Sequence, residues 1–125
     1  MVRGKIYRVV VADDEPEFRS WLKSLLDDSE DFRLIGEASN GTEVVNLIPT
    51  LLPDLVIADM YMPEPDGLEV VRYVQHNFSG VKAILVSAYE EHVYERLARD
   101  EGALAFIPKT KLSLDALRRA LKGDV

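Results

Sequence analysis

Leu55-Val56-Ile57-Ala58-Asp59-Met60-Tyr61-Met62-Pro63 is the stretch that decides the fold of this 125-residue chain. Residues 55–58 are short, branched and uncharged, the pattern of a strand buried on both faces. Asp59 stands where that strand emerges. In open parallel α/β sheets, ligands bind outside the carboxyl ends of the strands. The stretch therefore sets one carboxylate at the mouth of a sheet.

The sequence on either side repeats the same unit. Upstream, residues 6–12 (Ile-Tyr-Arg-Val-Val-Val-Ala) are β-branched and apolar, which predicts a central strand. It runs into Asp13-Asp14-Glu15-Pro16. Pro16 suits the first turn of a helix, and Glu15 and Glu17 suit its positive end. Phe18, Trp21, Leu22, Leu25 and Leu26 follow at helical spacing, and Asp27-Asp28-Ser29 ends that helix. Residues 32–38 read as a second, more exposed strand. Asn40 and Glu43 form a helix-start pattern, followed by apolar Val44, Val45, Leu47, Ile48 and Leu51. Pro49 is expected to kink or shorten this helix, because it lacks a backbone donor and crowds the preceding turn.

Downstream, residues 62–67 form a turn-rich loop. A helix with Leu68, Val71, Val74 and Phe78 facing inward follows, ended by Ser79-Gly80. Residues 81–86 are a fourth strand with Ser87-Ala88 at its end. Residues 90–101 are a charged helix with a narrow apolar stripe of Val93, Leu97 and Ala98, capped by Gly102. Residues 104–107 make a short fifth strand ending in Pro108-Lys109. Ser113 caps a last helix carrying Leu114, Leu117 and Leu121. Five strands alternating with five helices predict a parallel sheet covered on both faces.

The bulk composition bounds what such a domain can do. It is 47% hydrophobic and 30% charged, which is ordinary for a soluble globular chain. There is no cysteine, which excludes disulfides and thiolate metal sites. No apolar run approaches the roughly 20 residues of a membrane helix. The N-terminus is basic at Arg3 and Lys5, but the apolar run behind it is too short for a signal peptide. A cytoplasmic protein of one domain, residues 1–125, is expected. The net charge of −7 argues against direct nucleic-acid binding, which needs cationic surfaces.

Strands one, three, four and five end in Asp13-Asp14, Asp59, Ser87 and Lys109. If those strands are neighbours, the groups converge. Carboxylates crowded together need a cation, and hard oxygen ligands suit Mg²⁺. Lys109 and the Ser87 hydroxyl could then bind an anion with several oxygens. That set suggests phosphoryl transfer to Asp59 through an acyl phosphate. Taken singly, each residue has a plainer reading: a turn-forming Asp, a solvated Lys, a locally bonded Ser. Their joint placement at the correct strand ends is what favours the chemical one.

On these residues the chain resembles the receiver domain of two-component response regulators. The signals are Val-Val-Val-Ala-Asp13-Asp14-Glu15, Asp59-Met-Tyr-Met-Pro-Glu-Pro-Asp-Gly67, Leu-Val-Ser87-Ala88 and Phe106-Ile-Pro-Lys109. The resemblance covers nearly the whole chain, and the Asp59–Gly67 segment is its most specific part. It implies a flavodoxin-like, CheY-like (βα)5 fold with strand order 2-1-3-4-5. It implies that Asp59 accepts a phosphoryl group from the phosphohistidine of a sensor kinase or phosphotransfer protein. Asp14 would ligate Mg²⁺ directly and Asp13 mainly through water, with Asp59 and the Tyr61 backbone carbonyl completing the set. Ser87 and Lys109 would contact phosphoryl oxygens. Ser87 and Phe106 would form a switch that changes the surface of helix four, strand five and helix five, for an output domain or partner protein. The family also includes homodimers formed through the face containing helices four and five. Such a domain is not an enzyme in its own right; it catalyses only its own phosphorylation and dephosphorylation.

Two features depart from the family pattern. Thr110 follows Lys109 where Pro, commonly after a cis bond, is frequent, and Pro108 precedes it, a residue tolerated on an edge strand. Phe106 replaces the frequent Tyr, so switching there has to be steric. Tyr61 and Tyr89 each lie two residues beyond a site residue and could shield an acyl phosphate from water. His76 and His92 fall on helices without a partner ligand at metal spacing.

Three rival functions share the fold. A phosphohydrolase of the haloacid dehalogenase type wants a second Asp two residues after the nucleophile, where Tyr61 stands. A flavodoxin-like cofactor binder wants a phosphate-cradling loop after strand one, where Asp13-Asp14-Glu15 repels phosphate. A phosphorylation-independent interaction module would not need the acidic pocket with Asp59 and Lys109.

Overall fold

Ten elements follow one another in strict alternation in the computed structural model, which describes residues 4–90 and 92–123. They are β1 (Tyr7–Ala12), α1 (Pro16–Asp27), β2 (Phe32–Ala38), α2 (Gly41–Leu51), β3 (Leu55–Asp59), α3 (Gly67–Asn77), β4 (Lys82–Ser87), α4 (His92–Asp100), β5 (Ala105–Pro108) and α5 (Leu114–Lys122). The sheet is parallel throughout, in the order β2-β1-β3-β4-β5. The strand pattern predicts the parallel sheet, and the order is the flavodoxin-like one that the resemblance implies.

Alternation along each strand divides the interior in two. Val10, Ala12, Val56, Ala58 and Leu85 face α2, α3 and α4, meeting Val44, Ile48, Leu68, Val71 and Ala98. Val9, Val11, Leu55, Ile57, Ile84 and Val86 face α1 and α5, meeting Leu22, Leu26, Leu117 and Ala120. β3 is buried along its whole length because it has neighbours on both sides and helices on both faces.

The register brings the site to one end. Ala12 pairs with Ala58, Asp59 with Val86, and Ser87 with Pro108. Asp13, Asp59, Ser87 and Lys109 thus leave the sheet at the same level. Gly67 makes the return from β3 possible. A Cβ there would lie 2.3 Å from the Asp59 carbonyl oxygen, so only glycine lets α3 start against the strand end. Asp66 caps that helix through a full capping box with Glu69, a device the sequence reading passed over as turn-rich loop.

Several boundaries and faces differ from the sequence expectations. The first strand begins at Tyr7, leaving Ile6 40% exposed. Trp21 is 45% exposed rather than core; it flanks Leu22 and packs its ring on Phe18 at 5.7 Å. Pro49 does not stop α2, which runs two residues further to Leu51. It stands in the last turn, where the Leu52 N–H already closes the helix on the Ile48 carbonyl at 2.8 Å. Leu52 then takes a left-handed backbone, φ 47°. Phe78 is the residue after α3 and only partly buried. β4 begins at Lys82 and β5 at Ala105, one residue later than expected in each case.

The charged fourth helix is shorter than the predicted 90–101, and Glu91 lies outside the described residues, as do Met1, Val2 and Arg3 of the basic N-terminus. Its expected apolar stripe is not a buried face: Ala98 is fully buried, but Val93 is 74% exposed. α4 packs at the β5 edge through Ala98, with Tyr94 partly buried against the same core. The Lys109–Thr110 peptide is not cis; among the described residues the one cis bond is Glu64–Pro65, and Lys109–Lys111 form a 3-10 turn.

Candidate functional site

The end of β1 delivers the first carboxylate inward. The Asp13 N–H donates to the Ala38 carbonyl at 3.0 Å, continuing the ladder by one residue and fixing the side chain under the loop. One carboxylate oxygen, Oδ1, accepts from the Glu15 N–H at 2.8 Å. The other, Oδ2, is buried and lies 2.7 Å from the Lys109 ammonium, a close ion pair rather than a well-aimed hydrogen bond. Asp14 turns out to solvent while Asp59, at the end of β3, is 5% exposed. One carboxylate oxygen from each of Asp13, Asp14 and Asp59 lies within 4.8 Å of the others.

Lys109 reaches across from the end of β5. Its Nζ is 2.7 Å from Asp13, 2.8 Å from Glu15 and 3.8 Å from Asp59. It also sits over the Phe18 ring, 4.3 Å from the centroid. Ser87 is fully buried, and its Oγ accepts from the Tyr89 N–H at 3.1 Å. Phe106 is buried on the neighbouring β5, in register with Leu85, two residues before Ser87 on β4.

The electrostatics follow from burial and crowding. Desolvation pushes the Asp59 carboxyl up to about 7, and Asp13 and Asp14 add to the rise, while Lys109 and the Tyr61 backbone N–H oppose it. For Lys109, burial works against the ammonium, yet the contacts with Asp13 and Glu15 and the charge of Asp59 outweigh it and raise its pKa. Asp13, Glu15 and Asp59 thus surround a single ammonium. The buried Asp13 Oδ2, held by an ion pair rather than a well-aimed hydrogen bond, and the three converging carboxylates fit a hard divalent cation.

The sequence-derived set comes together: Asp13, Asp14, Asp59, Ser87 and Lys109 share this end of the sheet, with Tyr61 just beyond β3. Two contributors were not foreseen. Glu15 was read as a favourable charge at a helix start, and Phe18 as part of the core-facing stripe. Glu15 directly follows the acidic pair and Phe18 lies one turn later, yet their contacts with Lys109, far along the chain, have no mark of their own in the sequence. Tyr61 and Tyr89 do meet, edge to face at 6.4 Å, and Tyr94 of α4 joins them at the same distance from Tyr61. His76 and His92 lie on α3 and α4, both exposed; His92 is near Glu95 at 3.6 Å.

A doubly wound parallel sheet with carboxylates and a lysine at its carboxyl edge defines a CheY-like signalling domain. The response regulator receiver domain family matches residues 9–122, and the chain belongs to that family. It is 34% identical over 122 residues to the transcriptional regulatory protein LiaR of Bacillus subtilis, covering 94% of this chain and 57% of that protein. It is 32% identical over 124 residues to a protein-glutamate methylesterase/protein-glutamine glutaminase of Pyrococcus abyssi, covering 98% of this chain and 33% of that one. The chain thus spans between a third and somewhat over half of these relatives. Among solved structures, the receiver domain of the response regulator NarL from Mycobacterium tuberculosis superposes with a TM-score of 0.86 at 31% identity, covering 95% of this chain and 96% of that one. The response regulator domain of Thermotoga maritima CheB gives 0.78 at 30% identity, covering 94% and 90%. The chain is a receiver of two-component signal transduction. No helix among the described residues is long and apolar enough to cross a membrane.

Proposed function

We propose that Asp59 is the phosphoacceptor of this receiver. The observation that carries the reading is a carboxylate 5% exposed, within 4.8 Å of two others and 3.8 Å from an ammonium. Asp13, Asp14, Asp59 and the Tyr61 carbonyl would hold Mg²⁺, which supplies positive charge that favours the ionised carboxylate and screens the incoming phosphoryl oxygens. An Asp59 oxygen attacks phosphorus as the bond to the donor imidazole breaks, and the imidazole leaves with that electron pair. Lys109 and the Ser87 hydroxyl bind the oxygens of the transferred group. Ser87 now bonds its own loop at Tyr89, so engaging a phosphoryl group draws that loop inward and opens space for the Phe106 ring. The altered α4–β5–α5 surface then selects a different partner, which is a population shift between two states.

The donor is a sensor kinase or phosphotransfer protein, and residues 1–125 act as one receiver domain of a cytoplasmic protein with no catalysis beyond its own phosphorylation and dephosphorylation. Because relatives include transcriptional regulators and a methylesterase of greater length, the output is an attached domain or a separate partner protein; a homodimer through the α4–β5–α5 face is the form such switching takes when two copies meet. The net charge of −7 argues against this domain contacting nucleic acid itself.

Incubation with Mg²⁺ and acetyl phosphate, followed by intact mass, tests the reading. One phosphoryl adduct is expected on the wild type, lost on adding EDTA beforehand and absent from Asp59→Asn. No adduct, with no Mg²⁺-dependent response to beryllofluoride, would leave the phosphorylation-independent module as the better account. The tyrosine cluster adds an expectation about lifetime. Tyr61 and Tyr89, two residues beyond Asp59 and Ser87, form a ring cluster with Tyr94, and on this reading it limits water access to the acyl phosphate, so self-dephosphorylation is slow. Tyr61→Asn with Tyr89→Glu should speed hydrolysis about tenfold, by opening a water path worth roughly 1.4 kcal/mol of barrier. Unchanged decay of the adduct in that double variant would remove the shielding idea.

A further inference from the structure

The first turn of α1 carries a function that its helix-start reading does not cover. Glu15 directs Oε1 to the Lys109 ammonium at 2.8 Å, and Phe18 lies under the same ammonium at 4.3 Å. Asp13 takes a third side at 2.7 Å, which leaves Asp59 furthest from the ammonium at 3.8 Å, beyond hydrogen-bond reach. The Glu15 side chain is 58% exposed, so it holds Lys109 from the solvent edge of the pocket. Glu15 therefore competes for the very cation that must reach the phosphoryl oxygens.

We propose that Glu15 is a positioning residue that parks Lys109 against α1 in the unphosphorylated state, with Phe18 as the seat, and that phosphoryl arrival at Asp59 moves Lys109 off Glu15. The proposal rests on Asp59 being the phosphoacceptor. Asp13 is fully buried and keeps its hold on the ammonium in both states, whereas Glu15 is at the solvent edge and can be released into water. The device sets how tightly the pocket takes a phosphoryl-shaped anion. It also connects the pocket to the protein's one tryptophan, because Trp21 packs on Phe18 at 5.7 Å.

The test measures beryllofluoride affinity in Mg²⁺ through Trp21 fluorescence for the wild type, Glu15→Gln and Glu17→Gln. Glu17 is an exposed acid on the same turn and controls for general loss of negative charge. Removing the competitor is expected to tighten binding about threefold in Glu15→Gln, the range of a partly exposed ion pair. The gain should shrink at high salt, which screens an exposed pair. Glu17→Gln should match the wild type. Equal or weaker binding by Glu15→Gln overturns the parking role while leaving Asp59 as acceptor, since a merely structural Glu15 would weaken the site. An equal gain in Glu17→Gln overturns it as well, by showing a through-space charge effect. If the wild type shows no Mg²⁺-dependent beryllofluoride binding, the phosphoacceptor reading fails and this proposal with it.

Discussion

Asp59→Asn is expected to make the metal-free protein more stable, not less, by about 1–3 kcal/mol at pH 8. Asp59 is almost fully buried beside Asp13 and Asp14, and its carboxyl is pushed up to about 7 from an ordinary 3.8. The sign follows from proton binding. Between about pH 4 and pH 7 the folded state keeps a proton that the unfolded chain has released. Wild-type stability therefore falls as pH rises through that window and levels off above it. Asparagine carries no charge at any pH and escapes the loss. Urea unfolding in EDTA at pH 5 and pH 8 checks this: the advantage of Asp59→Asn should grow with pH. Saturating Mg²⁺ should narrow the gap, because a cation that binds the folded carboxylates stabilises the wild type by mass action. A variant no more stable than wild type at pH 8 would mean that the pocket tolerates the third charge better than its geometry implies.

Lys109→Met has the opposite sign and a larger functional consequence. Asp13 is fully buried, its Oδ2 has Lys109 at 2.7 Å, and the nearby Arg19 guanidinium donates to the Asp13 backbone carbonyl rather than to its carboxylate. Removing the ammonium leaves that charge unpaired, which costs about 3 kcal/mol when one partner of a buried pair is deleted. The methionine keeps an unbranched apolar chain of similar reach, so the loss comes from charge more than from packing. The same substitution removes a cation aimed at the transferring group, a change that lowers rate by about 100-fold or more. Urea unfolding without metal measures the first effect and the rate of mass increase in acetyl phosphate the second. A fully stable variant that phosphorylates at the wild-type rate would show that Lys109 contributes to neither.

The fold was legible because its signals are redundant. Residues 55–58 form a branched, uncharged run and residues 6–12 a β-branched one with a single charge at Arg8, both too short for helices, and five strand-like runs alternate with amphipathic helices. The pocket was legible because strand ends coincide with Asp13, Asp14, Asp59, Ser87 and Lys109, and a parallel sheet brings strand ends together. What was not legible depends on which direction a side chain takes from a correctly placed backbone. Trp21 satisfies helical spacing yet lies at the border of the apolar face, and Val93 continues a stripe on a helix that is seated by Ala98 and Tyr94 instead. Glu15 fits a helix N-terminus so well on electrostatic grounds that its contact with Lys109, 94 residues away, left no separate trace in the sequence. Pro49 shows the same limit in the backbone: its cost depends on whether another bond closes the turn, and Leu52 supplies one.

The central claim is that one carboxylate, Asp59, carries the phosphoryl group. Acyl phosphates are reduced by borohydride to the corresponding alcohol, so phosphorylated aspartate becomes homoserine while free carboxylates are untouched. The protein is treated with acetyl phosphate and Mg²⁺, reduced, digested and mapped by mass spectrometry. The account predicts homoserine at position 59 alone, and none when Mg²⁺ is withheld. Homoserine at position 13 or 14, or at any carboxylate outside the pocket, would contradict it.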